Sequence, residues 1–429
     1  MTSVEVHLAE WQELGPDFAP LRGVAFADGA ARNLAMELTK ARILEVEELR
    51  AGVRVRARAH VGRVRIDPLI ITIEPKLGPA ELLELFRYAY RLPPLRRIGS
   101  ADVGASGTLL QDLIAARLLD ETEGLMRGGL AKAYEIRDES LASPRGRIDL
   151  VAIARGGNAS SARLPCRHHV RLADNQLNRV LRAGLGIARA VATDPGLRGA
   201  IHRTAVALGA QIGELPLTRV AIATARRRLN RLTNSYEPAL RLIELLFESS
   251  AISLDDETSL TVPGFLLDMN RFFQALMSRL LSDGLPDCRV QEESALHDMM
   301  RYVPGKNPRQ RKSPRPRPDF LVTSPSHTTS LLDAKYRDLW ARELPRDMLY
   351  QLAVYALSQP PPAQAAILYP TTDTNATDAA IEIREPVQSA ERAHVVLRPV
   401  HLGRLVAAVK ARSDDGLRTL ARSLAFGGA

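Results

Sequence analysis

The stretch VRVRARAHVGRVRID, Val53 to Asp67, alternates apolar and basic residues with a period of two. That period puts every second side chain on one face, so the run predicts β-strands, with a turn at Val61-Gly62. LIITIEP, Leu69 to Pro75, predicts a more buried strand ended by proline. PAELLELFRYAYRL, Pro79 to Leu92, spaces its apolar residues as a helix does; a proline opens it, and Pro93 and Pro94 stop it.

The middle of the chain reads as mostly helical. A helical stripe runs from Gly107 through GTLLQDLIAARLLDETEGLMRGGL, and ESLASPRGRIDL, Glu139 to Leu150, reads as a loop. DNQLNRVLRAGLGIARAVA, Asp174 to Ala192, predicts a helix with Asp174 as its N-cap. RLIELLFESSAI, Arg241 to Ile252, predicts another.

The last third changes character. DMNRFFQALMSRLLSDGL (268–285) predicts a helix ended near Gly284, CRVQEESAL (288–296) a strand, and RYVPGKNPRQRKSPRPRPDF (301–320) a basic, proline-rich connection. Strands are expected near DFLVTS (319–324), SLLDAKY (330–336) and QAAILYP (364–370), with a helix over LPRDMLYQLAVYALSQ (344–359). Helix, three strands, helix, strand is the order of a mixed sheet with helices against it. The expected organisation is a multi-domain α/β (α+β) protein in three consecutive parts. These are a β-rich N-terminal domain over 1–160, a helical connecting region over 161–260, and a C-terminal domain over 261–429.

Composition narrows the function classes. At 429 residues and 45% hydrophobic content the chain is long enough for several cores. A formal charge of +9 favours a polyanionic partner, nucleic acid first. Abundant Ala and Arg beside scarce Lys is also what a GC-rich genome produces. Cys166 and Cys288 are the two cysteines and form no metal motif, which fits a reducing compartment. No signal peptide or transmembrane run is visible, so a cytoplasmic protein with no membrane association is expected. Neither a P-loop, nor G-x-S-x-G, nor H-E-x-x-H occurs. His168 and His169 near Cys166 lack a second ligand cluster, so zinc is not expected there.

Only seven of the 58 basic residues are lysines, yet one stands in LLDAKYR, two residues after Asp333. On a strand, Asp333 and Lys335 share a face, and Ala334 points away. Pro318-Asp319 opens the preceding strand fourteen residues earlier, a hairpin's distance. If the strands pair, Asp319 and Asp333 converge with Lys335 beside them. Two carboxylates suit a hard divalent cation such as Mg²⁺, and a neighbouring lysine can position water or stabilise developing charge. This P-D…D-A-K pattern matches the PD-(D/E)xK nuclease signature. Gln351 and Tyr355, at i and i+4 of the next helix, are similar to a Q-x-x-x-Y arrangement found in a large nuclease subgroup.

IEPKLG with FRYAY, SPRGRIDL, CRHHVRLADNQLNRVL, FLLDMNRFFQALM, RPDF, DAKY and YQLAVYA follow one another in that order. Together they resemble the McrC family, the nuclease subunit of methylcytosine-dependent McrBC restriction systems, over residues 50 to 360. The resemblance implies a restriction-endonuclease-like PD-(D/E)xK domain with a mixed sheet flanked by helices. It implies metal-dependent cleavage of double-stranded DNA, in defence against foreign DNA. It also implies a McrB-like AAA+ GTPase ring as partner, so that GTP acts only through that subunit. Asp319, Asp333, Lys335 and Gln351 would be catalytic. Asp319, Asp333 and the Ala334 carbonyl would bind the metal, with Tyr355 and Gln274 in support. Lys76, Arg145 and Arg147 would lie in regions that dock on the ring or face the domain interface. Cutting both strands favours pairing of two nuclease domains.

One departure stands out. Gln274 occupies a position where the family commonly carries Glu, so Asp319 and Asp333 must suffice or Glu292 or Glu293 must compensate. It is also the sequence support for a second reading, a catalytically inactive regulator with a nuclease fold that docks on and stimulates the GTPase. Arg309, Arg311, Lys312, Arg315 and Arg317 read either as a DNA-backbone arm or as a solvated loop. Arg145 and Arg147 flank Gly146 in a turn, where pairing with carboxylates is the alternative to docking. Asn175 and Asn178 read as capping and packing groups.

Overall fold

The computed structural model describes residues 3–92, 110–156, 163–255, 258–261, 264–297, 299–361 and 363–428. It divides into two compact units, residues 1–94 with 252–429 and residues 95–251. The sequence pattern suggested cuts near 160 and 260 instead. The first unit is discontinuous because Gly264–Asp268 returns to pair antiparallel with His60–Ile66. That strand completes a four-stranded sheet with Leu69–Glu74 and Val4–Ala9. The core beneath it draws on Val6, Leu8, Val64, Ile66, Ile71 and Leu266.

The alternating run splits between two sheets. Gly52–Ala57 belongs to a three-stranded sheet with Leu44–Leu49 and Glu13–Leu14, and His60–Ile66 belongs to the four-stranded one. The break falls at Arg58-Ala59, not at Val61-Gly62. Gly62 lies inside its strand at φ +132°, where a Cβ would stand 2.2 Å from the Phe265 carbonyl oxygen. The glycine marks a close approach of two backbones rather than a turn. The arginines of the run face acids: Arg54 Nη2 lies 2.9 Å from Glu47 and Arg56 Nη1 3.6 Å from Glu45. These exposed pairs contribute little each, but they occupy charge that would otherwise be free for a polyanion.

A second, six-stranded sheet orders Arg289–Glu292, Phe320–Thr323, Thr329–Ala334, Gln364–Thr371, Glu391–His401 and Ala379–Arg384. Each of the first three strands is antiparallel to its neighbour among them, the next two join in parallel, and the last is antiparallel again. It is therefore a mixed sheet, as expected, and it extends beyond the strands legible in the sequence. Leu331, Ile367, Val395 and Leu397 pack with Leu352, Tyr355 and Ala356 of the helix Arg346–Leu357. The other face meets the helices Met269–Gly284 and Asp414–Phe426. Met269–Gly284 also packs on the helix Pro79–Ala89, where Phe86 and Phe272 stack with centroids 5.7 Å apart. Phe272, Leu276, Leu280 and Leu281 are buried, and each such side chain contributes about 2 kcal/mol.

The second unit is a helical body with an exposed ribbon. Leu110–Gly128 packs with Gln176–Val191 and Glu237–Ser250, so it groups with the helical part rather than with the β-rich N-terminus. The predicted start at Gly107 lies outside the described residues. The 139–150 stretch is less loop-like than its composition suggests. Ala133–Leu141 and Leu164–Leu172 form a long antiparallel pair, Arg147–Ile148 adds a short third strand, and Leu150–Gly156 is helical. Gly146 turns at φ +70° with no room for a Cβ beside the Arg167 carbonyl oxygen.

The D-N-x-x-N-R block holds the base of this ribbon. Asn175, not Asp174, is the N-cap, and its Oδ1 accepts from the backbone of Leu177 and Asn178. Asp174 instead takes a bidentate pair from Arg179 at 2.7 and 2.8 Å, and this bond draws its pKa down to about 2. Asn178, fully buried, donates to the carbonyls of Ala131 and Ala173 and accepts from the Tyr236 hydroxyl at 2.7 Å. Among the described residues no helix is long and apolar enough to cross a membrane.

Candidate active site

The pairing of Phe320 with Leu332 sets the register of two antiparallel strands. One step further, the same register places Asp319 opposite Asp333. Directly opposed residues have Cβ atoms about 5 Å apart, so the two carboxylates share one small volume. Lys335 Nζ joins them, 2.9 Å from Asp333 Oδ2 and 3.4 Å from Asp319 Oδ2. Asp319 Oδ2 also accepts from the Ala334 backbone N–H at 2.8 Å, which locks the hairpin end. Lys335 N–H donates to the Leu368 carbonyl at 3.0 Å, so the parallel neighbour strand fixes the lysine backbone.

Asp333 is only 2% exposed, and its Oδ1 has no hydrogen-bond partner among the described residues. Burial lifts its pKa above the ordinary carboxylate value. The Lys335 ammonium opposes that rise, the Asp319 charge adds to it, and the net shift is upward. For Lys335, burial works against the ammonium. The Asp333 and Asp319 carboxylates outweigh it and hold the lysine above its ordinary value, protonated at neutral pH. The site is thus a pair of carboxylates, one deeply buried, compensated by one cation.

Residues 55–370 match the family described as McrBC 5-methylcytosine restriction system component. The chain belongs to that family. The matched span of this McrBC-family chain includes the whole Asp319–Lys335 hairpin. The chain is also similar to one in the refined half-complex from a tetradecameric assembly of Thermococcus gammatolerans McrB AAA+ hexamers with bound McrC. That likeness covers 98% of this chain and 100% of the other at 19% identity, with a TM-score of 0.60. The cryo-EM structure of the Thermococcus gammatolerans McrBC complex matches over 66% of this chain and 88% of its own, at 18% identity and a TM-score of 0.46. At 19% identity the first likeness is one of fold. No curated protein matches the chain.

The remaining residues singled out in this McrBC-family sequence fall into three places. Gln274 and Tyr355 lie at the carboxylate pair. Gln274, on the helix Met269–Gly284, donates from Nε2 to Asp319 Oδ1 at 3.3 Å. Tyr355 is buried, and burial raises its pKa, with Asp333, Asp319 and Lys335 all close enough to act on it. Gln351 is exposed and donates to the Tyr355 hydroxyl at 3.0 Å. Glu292 pairs with Phe320 in register and therefore shares the face opposite to Asp319, where it accepts from Ser278. Glu293 gives its backbone N–H to the Asp319 carbonyl at 3.0 Å.

The basic segment is the second place. Its ends are pinched together by the bond from Leu296 N–H to the Pro316 carbonyl, three residues before Asp319. Arg309, Arg311, Lys312, Arg315 and Arg317 are exposed and form no ion pair among the described residues. The third place is not a single one. Arg145 and Arg147 are exposed on the ribbon of the second unit. Lys76 belongs to the first unit, about four-fifths buried, with Nζ 3.7 Å from Asp338 and over the Tyr336 ring. The geometry makes Lys76 an internal partner of the segment that follows Lys335.

Sequence reasoning missed Glu10, Asn270 and Tyr336. Tyr336 N–H donates to Asn270 Oδ1 at 3.3 Å, and its hydroxyl to Glu10 Oε1 at 2.8 Å. Asn270 and Tyr336 lie inside recognisable blocks, but nothing in the local pattern around Glu10 links it to residue 336.

Proposed function

We propose that this chain is the nuclease subunit of a McrBC-type restriction system, with a PD-(D/E)xK active site that cuts double-stranded DNA in assembly with an AAA+ GTPase. The observation that carries the reading is the register that sets Asp319 opposite Asp333 with Lys335 Nζ between their oxygens. A carboxylate pair with one deeply buried member, compensated by one lysine, is a poor device for stability, because its desolvation is costly. It is a good one for holding a cation beside a phosphate.

The residues present fit a divalent metal such as Mg²⁺. Among the described residues Asp333 Oδ1 is a buried oxygen without a hydrogen-bond partner, and hard cations take oxygen donors. Among the described residues no group of three His, Cys, Asp or Glu side chains is set to hold a metal. The donor set would be Asp319, Asp333 and the Ala334 carbonyl, completed by water and DNA phosphate. Bound there, the metal would neutralise charge at the scissile phosphodiester and acidify a water. Lys335, protonated beside the two acids, orients that water and stabilises the developing charge. Gln274 holds Asp319, and Tyr355 with Gln351 closes the side of the site on the helix Arg346–Leu357. The exposed basic segment, rooted beside Asp319, supplies phosphate contacts.

A ring partner is supported by the solved Thermococcus assembly, whose description names McrC bound to McrB AAA+ hexamers. By that analogy the exposed ribbon with Arg145 and Arg147 serves docking, GTP is hydrolysed only by the partner, and pairing of two such subunits accounts for cutting both strands. The protein works in the cytoplasm, where such DNA is met. The test is Asp333→Ala, assayed with the partner GTPase, Mg²⁺ and duplex DNA. Cleavage should vanish while ring binding and stimulated GTP hydrolysis persist. Normal cutting by the variant would refute the assignment. Absence of cutting by the wild-type complex, with GTPase stimulation intact, would favour the inactive regulator instead.

A further inference from the structure

We propose that Glu10 is a positioning residue for Lys335, acting through Tyr336, and that Lys76 holds Glu10 where it can do so. The inference rests on the nuclease reading of Lys335 and adds to it the parts that set the lysine's place.

Lys335 is the residue just past the strand Thr329–Ala334, and its N–H bond to Leu368 is the last link to the neighbouring strand before the chain leaves the sheet. Tyr336 follows it and points to the other side. The Tyr336 ring is buried edge-on against Phe273, with centroids 6.0 Å apart, and its hydroxyl donates to Glu10 Oε1 at 2.8 Å. The Lys76 backbone N–H donates to the same Oε1 at 3.1 Å. Lys76 Nζ then stands 3.7 Å from Asp338 Oδ2 and 5.6 Å from the centre of the Tyr336 ring. Glu10 directly follows the strand Val4–Ala9, and Lys76 follows the strand Leu69–Glu74 beside it. Two neighbouring strand ends of the N-terminal sheet therefore grip Tyr336 and Asp338, two of the three residues that follow the lysine.

The composition of this grip is unusual for plain packing. Glu10 is 7% exposed, and both its Oε2 and Lys76 Nζ lack hydrogen-bond partners among the described residues. Buried polar groups left half-satisfied cost stability, so a hydrophobic contact would hold the two sheets together better. What the polar arrangement adds is direction. A hydroxyl-to-carboxylate bond fixes where the Tyr336 ring sits along its axis, which apolar contacts do not. Because Tyr336 and Lys335 are adjacent, a shift of one moves the Nζ of the other relative to Asp319 and Asp333.

Tyr336→Phe, Glu10→Ala and Glu10→Gln in the full chain separate this from a structural role. Gln keeps an oxygen that can accept both bonds. In single-turnover cleavage with the partner GTPase, Tyr336→Phe and Glu10→Ala should each slow cutting about tenfold, with DNA affinity and GTPase stimulation unchanged. Glu10→Gln should restore the rate to within about twofold. Independently of activity, hydrogen exchange of the peptide spanning 331–342 should quicken in Tyr336→Phe and Glu10→Ala and not in Glu10→Gln. Wild-type exchange and rate in Tyr336→Phe, with its native fold checked by circular dichroism, would overturn the proposal. Equal impairment of Glu10→Gln and Glu10→Ala would do the same. If the wild-type complex does not cut at all, the nuclease reading falls, and the exchange measurement alone decides whether the grip exists.

Discussion

Asp319 stands opposite Asp333 across two antiparallel strands, one step beyond the pair Phe320 and Leu332. Lys335 Nζ reaches both, so the ammonium occupies the role of counter-ion. Lys335→Met removes that charge and leaves two facing acids, one of them buried. Metal-free stability should fall by about 2 kcal/mol, or about 2 °C in melting temperature for a chain of this size. Divalent metal should then stabilise the variant more than it stabilises the wild type, and cleavage should drop at least about a hundredfold. Thermal unfolding with and without Mg²⁺ measures the difference. An identical Mg²⁺ response in both proteins would mean that no cation enters between the two acids.

Gln274 holds Asp319 Oδ1 from the helix Met269–Gly284 with a neutral amide. Gln274→Glu exchanges a donor for a second carboxylate. Without metal, the like charges should lower stability by about 1 kcal/mol at pH 8. With metal, a third acid should lower the Mg²⁺ concentration that gives half-maximal cleavage by about threefold to tenfold. A titration of cleavage rate against Mg²⁺ reads this directly. No change in the metal requirement would show that residue 274 sits outside the coordination sphere.

The carboxylate pair was legible because each part of it follows from a local rule. Period two puts Asp333 and Lys335 on one face, and a fourteen-residue offset brings Asp319 back across a hairpin. The same reasoning placed a turn at Gly62, since glycine usually marks one. There the glycine serves a strand from two hundred residues away, whose Phe265 carbonyl needs the space of a missing side chain. No local pattern carries that information, and for the same reason the pattern did not show that the first unit is discontinuous. Asp174 and Asn175 show a finer limit: both are good N-caps by type, and the choice turns on Arg179, which claims Asp174. Glu10 was invisible because its partners lie at 76 and 336, joined only by folding.

Glu10 also gives the stability of the protein a pH dependence with a definite sign. Burial raises its carboxyl from 4.5 to about 7, against the Tyr336 bond and the Lys76 charge, which lower it. Below pH 4.5 folded and unfolded chains both carry the proton, and the full stabilisation is present. As pH rises through about 7, the unfolded carboxyl ionises freely and the folded one resists, so stability is lost by up to about 3 kcal/mol. Glu10→Gln has no proton to lose. Urea unfolding at pH 5 and pH 8 should therefore show a larger loss in the wild type than in the variant. Asp333 titrates in the same direction in both proteins and cancels in the comparison. Equal losses would rule out a raised carboxyl at residue 10.

The basic segment separates DNA binding from DNA chemistry. Arg309, Arg311, Lys312, Arg315 and Arg317 are exposed, and the loop that carries them is pinched shut three residues before Asp319. Exposed, unpaired cations contribute to DNA affinity by releasing counter-ions, at a slope of about 0.9 in log K against log salt for each phosphate contacted. Replacing all five with Ser should flatten the slope for duplex DNA by about two to four units and weaken binding most at low salt. The maximal cleavage rate at saturating DNA should stay close to wild type, because none of the five reaches the carboxylates. Asp319→Ala should do the reverse, leaving the slope nearly unchanged and removing cleavage. Fluorescence anisotropy between about 50 and 200 mM salt, beside single-turnover cutting, gives both readouts. An unchanged slope in the five-residue variant would make the segment a solvated loop and move the DNA path elsewhere on the first unit.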